Sequence, residues 1–117
     1  MMTLWNGSTT KTATFTTAAI FEPNVEYVAL FVSVSAVTGT SPTLTVKLQE
    51  SPDGNVFYDI PSFTTTSITT TGNTRIAVPT VGMKCANFVQ AVCTIGGTTP
   101  VWTFLVQVAD CNSKKLK

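Results

Sequence analysis

Stretches in which every second residue is apolar and its neighbours carry hydroxyls recur along this chain, and a period of two restricts the fold more than any other feature here. Leu44, Val46 and Leu48 alternate with Thr43, Thr45, Lys47 and Gln49, and Val28, Leu30, Val32, Val34 and Ala36 share one side of the stretch before them. The residue types agree with the pattern. There are 23 Thr and 14 Val among 117 residues, β-branched types that suit a pleated, half-buried surface. Charged residues make up 11%, so the Glu and Lys that normally build long helices are scarce. Composition disfavours a helical bundle, and an all-β domain is expected.

Turn chemistry divides the alternation into about eight strands. Residues 12–20 form a first strand closed by Glu22-Pro23-Asn24, 26–37 a central one, and 43–49 its expected hairpin partner across Thr38-Gly39-Thr40-Ser41-Pro42. Ser51-Pro52-Asp53-Gly54 has the proline and glycine of a type I turn and leads into Val56, Tyr58 and Ile60. Residues 63–70 and 75–78 read as edge strands joined by Thr71-Gly72-Asn73, and 84–95 turns through Gly96-Gly97-Thr98-Thr99-Pro100 into Trp102, Phe104, Val106 and Val108. The expected architecture is an antiparallel two-sheet β-sandwich of jelly-roll type over 12–111, with an N-terminal arm at 1–11 and a polar, Lys-rich tail at 112–117. Its expected core holds Phe15, Val28, Leu30, Val32, Val34, Leu44, Val46, Leu48, Val56, Tyr58, Phe88, Val92, Trp102, Phe104 and Val106.

The chain repeats itself once. Val37-Thr-Gly-Thr-Ser-Pro-Thr-Leu-Thr-Val46 aligns without gaps on Ile95-Gly-Gly-Thr-Thr-Pro-Val-Trp-Thr-Phe104, an offset of 95 − 37 = 58 residues. Gly39 matches Gly97, and Pro42 matches Pro100. Two similar hairpin tips are implied, serving either as plain turn devices or as two equivalent contact points.

Chemistry-bearing patterns are few. The chain has no histidine, which removes the commonest general base and metal ligand, and Cys85, Cys93 and Cys111 contain no C-x-x-C pair to found a zinc site. Asp53 and Asp59 stand near turn tips, but Asp53 in Pro-Asp-Gly is ordinarily a turn former. Phosphate-binding glycine loops and nucleophile elbows do not occur. No enzyme activity, cofactor or metal is expected. Cys85 and Cys93, about 27 Å apart along one strand, do not bridge each other, and buried reduced thiols are the expectation.

A formal net charge of +1 gives no field to hold nucleic acid or an anionic membrane, and the longest apolar run, 27–34, is far short of a membrane span. Met1–Ser8 lacks the charged start and apolar middle of a secretory signal, so synthesis in the cytoplasm is expected. Sheet margins with so few charges lack the groups that keep monomers apart, which points to a homo-oligomer, a trimer by preference, or a docked subunit of a larger assembly. Candidate interface residues are Leu4 and Trp5 of the arm, Phe21, the tips Gly39, Pro42, Gly97 and Pro100, and Lys114 and Lys115 of the tail.

The run from Phe31 through Val-Ser-Val-Ser-Ala-Val-Thr-Gly-Thr-Ser-Pro-Thr-Leu-Thr-Val-Lys-Leu-Gln-Glu-Ser-Pro-Asp to Gly54, then Phe57-Tyr58-Asp59-Ile60 and Gly97-Thr-Thr-Pro-Val-Trp-Thr-Phe104, resembles small virion proteins of tailed bacteriophages. The resemblance spans about three quarters of the chain. It implies a β-sandwich or jelly roll with a head decoration (cement) role on the capsid surface, trimers clamping neighbouring major capsid subunits. Similar modules sit on tails or necks. A carbohydrate-binding or receptor-binding tail piece, using Trp102 at a hairpin exit, is the alternative.

Overall fold

A computed structural model of the chain describes residues 2–7, 9–21, 28–77 and 87–110. Seven strands are present and no helix among the described residues: β1 (Met2–Trp5), β2 (Phe15–Thr16), β3 (Ile20–Phe21), β4 (Val28–Ser51), β5 (Tyr58–Thr64), β6 (Gly72–Ala77) and β7 (Phe88–Asp110). All pairings are antiparallel within one sheet, in which β4 and β7 lie side by side, β5 and β6 flank β4, and β1, β2 and β3 flank β7.

The all-β, antiparallel expectation therefore holds, but the connectivity differs from the one read along the chain. The described part of 26–37, residues 28–37, and 43–49 do not fold back on each other. They run on as the 24-residue β4, paired along its length with β7 from Val28↔Asp110 to Ser51↔Phe88. Residues 88–95 and 101–108 likewise merge into β7, while the described parts of 63–70 and 75–78 each pair with β4 instead of each other. Only the hairpin across 51–57 closes as expected, with Glu50↔Tyr58 and Gln49↔Asp59.

Twenty-four residues at about 3.3 Å each would extend about 79 Å, yet the longest dimension of the molecule is 43 Å. The β4–β7 ribbon must therefore turn a corner, and the sheet curls into an open half-barrel. β-Bulges make the corner. From Val34↔Phe104 to Ala36↔Thr103, and from Thr40↔Thr98 to Thr43↔Gly96, β4 holds one residue more than β7; from Thr38↔Val101 to Thr40↔Thr98, β7 holds one more than β4.

These bulges also decide which face is buried. Each extra residue turns the following side chains over, because side chains alternate with a period of two. Two extra residues on β4 cancel, so Leu30, Val32 and Val34 before the corner and Leu44, Val46 and Leu48 after it share the concave face. A single extra residue on β7 does not cancel. Trp102, Phe104, Val106 and Val108 are buried on one side of the corner and Val89, Ala91 and Cys93 on the other, so Phe88 and Val92, expected in the core, lie on the opposite face.

Val56 and Tyr58 were also expected inside, but they are 54% and 60% exposed. Val56 lies in the bend before β5, and Tyr58 opposes Glu50 near the end of the β4–β5 ladder. From the same part of the chain Ile60 and Phe63 are buried in the core instead. Phe15 packs against the core at its edge, and the side chain of Val28 lies outside the described residues.

The 58-residue offset extends well beyond the repeated decapeptide. Adding 58 to the bounds of β4 gives 86–109, against Phe88–Asp110 for β7; adding it to β1 gives 60–63, inside β5, and adding it to 15–21 gives 73–79, overlapping β6. The flanking strands are exchanged, since β1, β2 and β3 pair with β7 whereas their counterparts β5 and β6 pair with β4. The isolated bridges Lys11↔Trp102 and Leu44↔Ile68 follow the same rule, with 44 + 58 = 102. The fold is thus two half-chains around an internal pseudo-twofold axis, each completing the other's long strand.

Candidate functional site

The two repeated segments, expected as separate hairpin tips, meet at the ribbon corner. Thr40 faces Thr98, its own counterpart at the 58-residue offset, so the pseudo-twofold axis passes between them. Gly39 has φ +118° and Gly97 φ +108°; a Cβ on Gly39 would stand 2.8 Å from the Thr99 carbonyl oxygen and 2.9 Å from Pro100 Cα, and one on Gly97 would stand 2.6 Å from the Ser41 oxygen and 2.8 Å from Pro42 Cα. Each glycine is required by the other segment's close backbone approach. Pro42 and Pro100 are half-buried beneath the corner, whereas Thr38–Ser41 and Gly97–Thr99 are exposed.

Ser41 (φ 49°) and Thr99 (φ 46°) are the non-glycine residues with positive φ among the described residues, and they too are counterparts, 41 + 58 = 99. Sequence reading singled out the glycines and prolines but passed over this pair. The signal was present in the matched Thr-Ser-Pro and Thr-Thr-Pro.

Within the expected N-terminal arm, Met2–Trp5 and the bridge at Lys11 join the sheet. β1 pairs with β7 through Thr3↔Gln107 and Trp5↔Val106, and Leu4 is buried in the main core. Trp5 packs edge-on against Phe15, centroids 5.2 Å apart, and Phe15 leans on Phe104 at 6.0 Å. Lys11, which the sequence did not flag, places its Nζ 4.5 Å from the Trp5 ring and 4.4 Å from the Phe15 ring, within cation–π range. These residues line a cavity of about 650 Å³ together with Thr3, Asn6 and Thr17. Leu4 and Trp5 thus serve this chain's own packing, which leaves Leu4 no surface to offer a neighbour. The Nε1 atoms of Trp5 and Trp102 are buried without a hydrogen-bond partner among the described residues.

Phe21 is 57% exposed and rests on Phe88, centroids 5.0 Å apart, so it remains a contact candidate. Trp102 is fully buried in the core and is removed as a sugar-stacking residue. Lys114 and Lys115 lie outside the described residues, as do Cys85 and Cys111. Cys93 is a buried free thiol whose pKa burial pushes up to about 12.

Asp53 in the turn and Asp59 at the start of β5 are both held by hydrogen bonds. Asp53 Oδ1 accepts from the backbone N–H groups of Asn55 (2.9 Å) and Val56 (3.2 Å) and from the Ser51 hydroxyl (3.0 Å), while Ser51 Oγ accepts from Gly54 N at 2.8 Å. Asp59 accepts from Gln49 Nε2 at 2.9 Å and pairs with Lys47 Nζ at 3.3 Å. These hydrogen bonds hold both carboxyls below their ordinary range, the direction opposite to a general acid's need. No cluster of metal-ligating side chains occurs among the described residues. No protein-family model matches the chain, and no curated protein matches it.

Proposed function

We propose that this chain is a structural virion subunit, a head decoration (cement) protein of a tailed bacteriophage that docks on the major capsid protein at the capsid surface as a homotrimer. The observation that carries the reading is the pair of sheet margins. Among the described residues β1, β2 and β3 pair only with β7, and β5 and β6 only with β4, so each margin offers unpaired backbone groups. A margin strand without a second strand partner among the described residues invites another polypeptide unless charge, proline or a bulge blocks it. β5 is blunted by Pro61 and by the register break opposite Lys47–Gln49, whereas β6 runs in unbroken register with β4 from Ala77 to Gly72. We further take the two parts of the curled sheet, on either side of the corner, to pack face to face as a jelly-roll-like sandwich.

The near-neutral chain suits contact with protein more than with nucleic acid or a membrane, and the phage resemblance supplies the setting. Purified particles of the parent phage test this directly. The chain should copurify with heads, rebind to heads stripped of it, and sediment as a trimer at micromolar concentration. Absence from particles, or failure to rebind, removes the virion role; a 12.5 kDa species alone removes the trimer.

A second reading, a carbohydrate-binding or receptor-binding piece of a tail or neck, draws on the Trp5–Phe15–Lys11 cavity. Binding on a glycan array with no capsid association favours it.

A further inference from the structure

The internal pseudo-twofold has a functional reach beyond the fold. At the ribbon corner seven positions on two strands, the four of Thr38–Ser41 and the three of Gly97–Thr99, are exposed and uncharged, and the axis emerges between Thr40 and Thr98. Gly39, Thr40 and Ser41 on one strand are therefore matched on this apex by Gly97, Thr98 and Thr99 on the other, turned by half a rotation. Both copies keep a side-chain-bearing residue in the left-handed region, Ser41 and Thr99, where glycine or asparagine would sit with less strain. Thr99 is β-branched, the type least tolerant of positive φ. A turn that only had to reverse the ribbon has no need of a hydroxyl at both positions, and backbone strain of this kind points from geometry towards function.

We propose that this apex docks on two identical segments of the partner related by a local twofold axis, one engaged by Thr38–Ser41 and the other by Gly97–Thr99. The inference rests on the structural-subunit reading above and names the site and the arrangement of its partner: two neighbouring shell subunits. The size of the apex chooses this occupant over a second copy of the chain. Seven residues are well short of the ~20–30 a side that a stable soluble complex uses, so apex-to-apex pairing of two free copies is too small to hold. A repeating shell supplies what a small contact lacks, because many chains and their other contacts act together. The contact chemistry is hydroxyl and backbone hydrogen bonding to an uncharged surface.

The test places a photo-crosslinking residue at Thr40 in one variant and at Thr98 in another, each added to heads of the parent phage that lack the chain. Both are exposed strand positions, and their substitution leaves the glycines and prolines of the corner in place. The expected result is capture of the same peptide of the shell protein from both positions. In parallel, Thr40→Arg and Thr98→Arg should each weaken rebinding by about tenfold or more, the two agreeing within about threefold, while Asn55→Arg in the exposed turn at 52–56 rebinds like the unsubstituted chain. Capture of different peptides, capture from one position only, or Arg variants that rebind normally overturns the twofold docking and leaves the virion role standing. Failure of the unsubstituted chain to rebind overturns both.

Discussion

Replacing Gly97 by alanine should be among the most damaging single-methyl changes this chain can suffer. The added Cβ would stand 2.6 Å from the Ser41 carbonyl oxygen, 2.8 Å from Pro42 Cα and 3.0 Å from the Thr40 carbonyl oxygen, all backbone atoms on the facing strand. None is the free end of a side chain that can swing aside. At φ +108° an L-residue carries a conformational penalty of about 1–2 kcal/mol, and forcing the strands apart adds about 1–3 kcal/mol, as overpacking does elsewhere. The sum, about 2–5 kcal/mol, is a large share of the ~5–15 kcal/mol that holds a domain of this kind together. At about 4 °C per kcal/mol the midpoint should fall by about 8–20 °C.

Gly72→Ala is the matched control. Gly72 also has a positive φ, +138°, but a Cβ there meets nothing within 4 Å, so only the conformational part remains. Gly39→Ala should behave like Gly97→Ala, because its Cβ would meet the counterpart backbone at 2.8–3.0 Å. Thermal and urea unfolding of the three variants decide the matter. Equal losses in Gly97→Ala and Gly72→Ala would refute the close-approach account, and a large gap between Gly39→Ala and Gly97→Ala would refute the pseudo-twofold.

Thr65 Oγ1 accepts the buried backbone N–H of Val46 at 3.0 Å, so Thr65→Val orphans that donor and should lower the unfolding free energy by about 1–3 kcal/mol, seen as a lower urea midpoint with an unchanged slope. Thr17→Val should do likewise through Ala91 N, whose 3.0 Å bond to Thr17 Oγ1 ties the stretch between β2 and β3 to β7. Because hydrogen bonds lower the folded pKa of Asp53 below the ordinary carboxylate range, its contribution is present above the unfolded pKa and lost as pH falls through the folded value; Asp53→Asn should therefore flatten the acid side of the stability profile below about pH 4. Cys93, with its thiol near 12, should resist a thiol reagent at pH 8 in the native protein and react once urea unfolds it, which mass spectrometry of the labelled peptide reads out. Trp5→Ala should lower the unfolding midpoint of the isolated chain, since Trp5 is braced by Phe15 and Lys11, and an unchanged midpoint would return it to the role of an outward anchor.

The alternation of apolar and hydroxyl residues was sufficient to establish strand content, antiparallel pairing and half of the buried face, because a period of two speaks directly to which side of a pleated strand a residue occupies. Leu30, Val32, Val34, Leu44, Val46 and Leu48 were legible for that reason. The site was legible in part: Gly39, Pro42, Gly97 and Pro100 were singled out by the repeat, but as two tips rather than one corner. Alternation says nothing about which strand lies alongside, and a glycine–proline segment reads equally well as a hairpin tip or as a bulged corner in an unbroken strand. Long-range contact settled that choice. The repeat finds its best partner in its own second copy, the bulges at that meeting turn β7 over so that Val89, Ala91 and Cys93 face inward, and β1 fills a margin that the chain alone presented as a free arm. Local pattern determines the face a residue takes only until a bulge intervenes, and where bulges fall depends on two segments 58 residues apart fitting together.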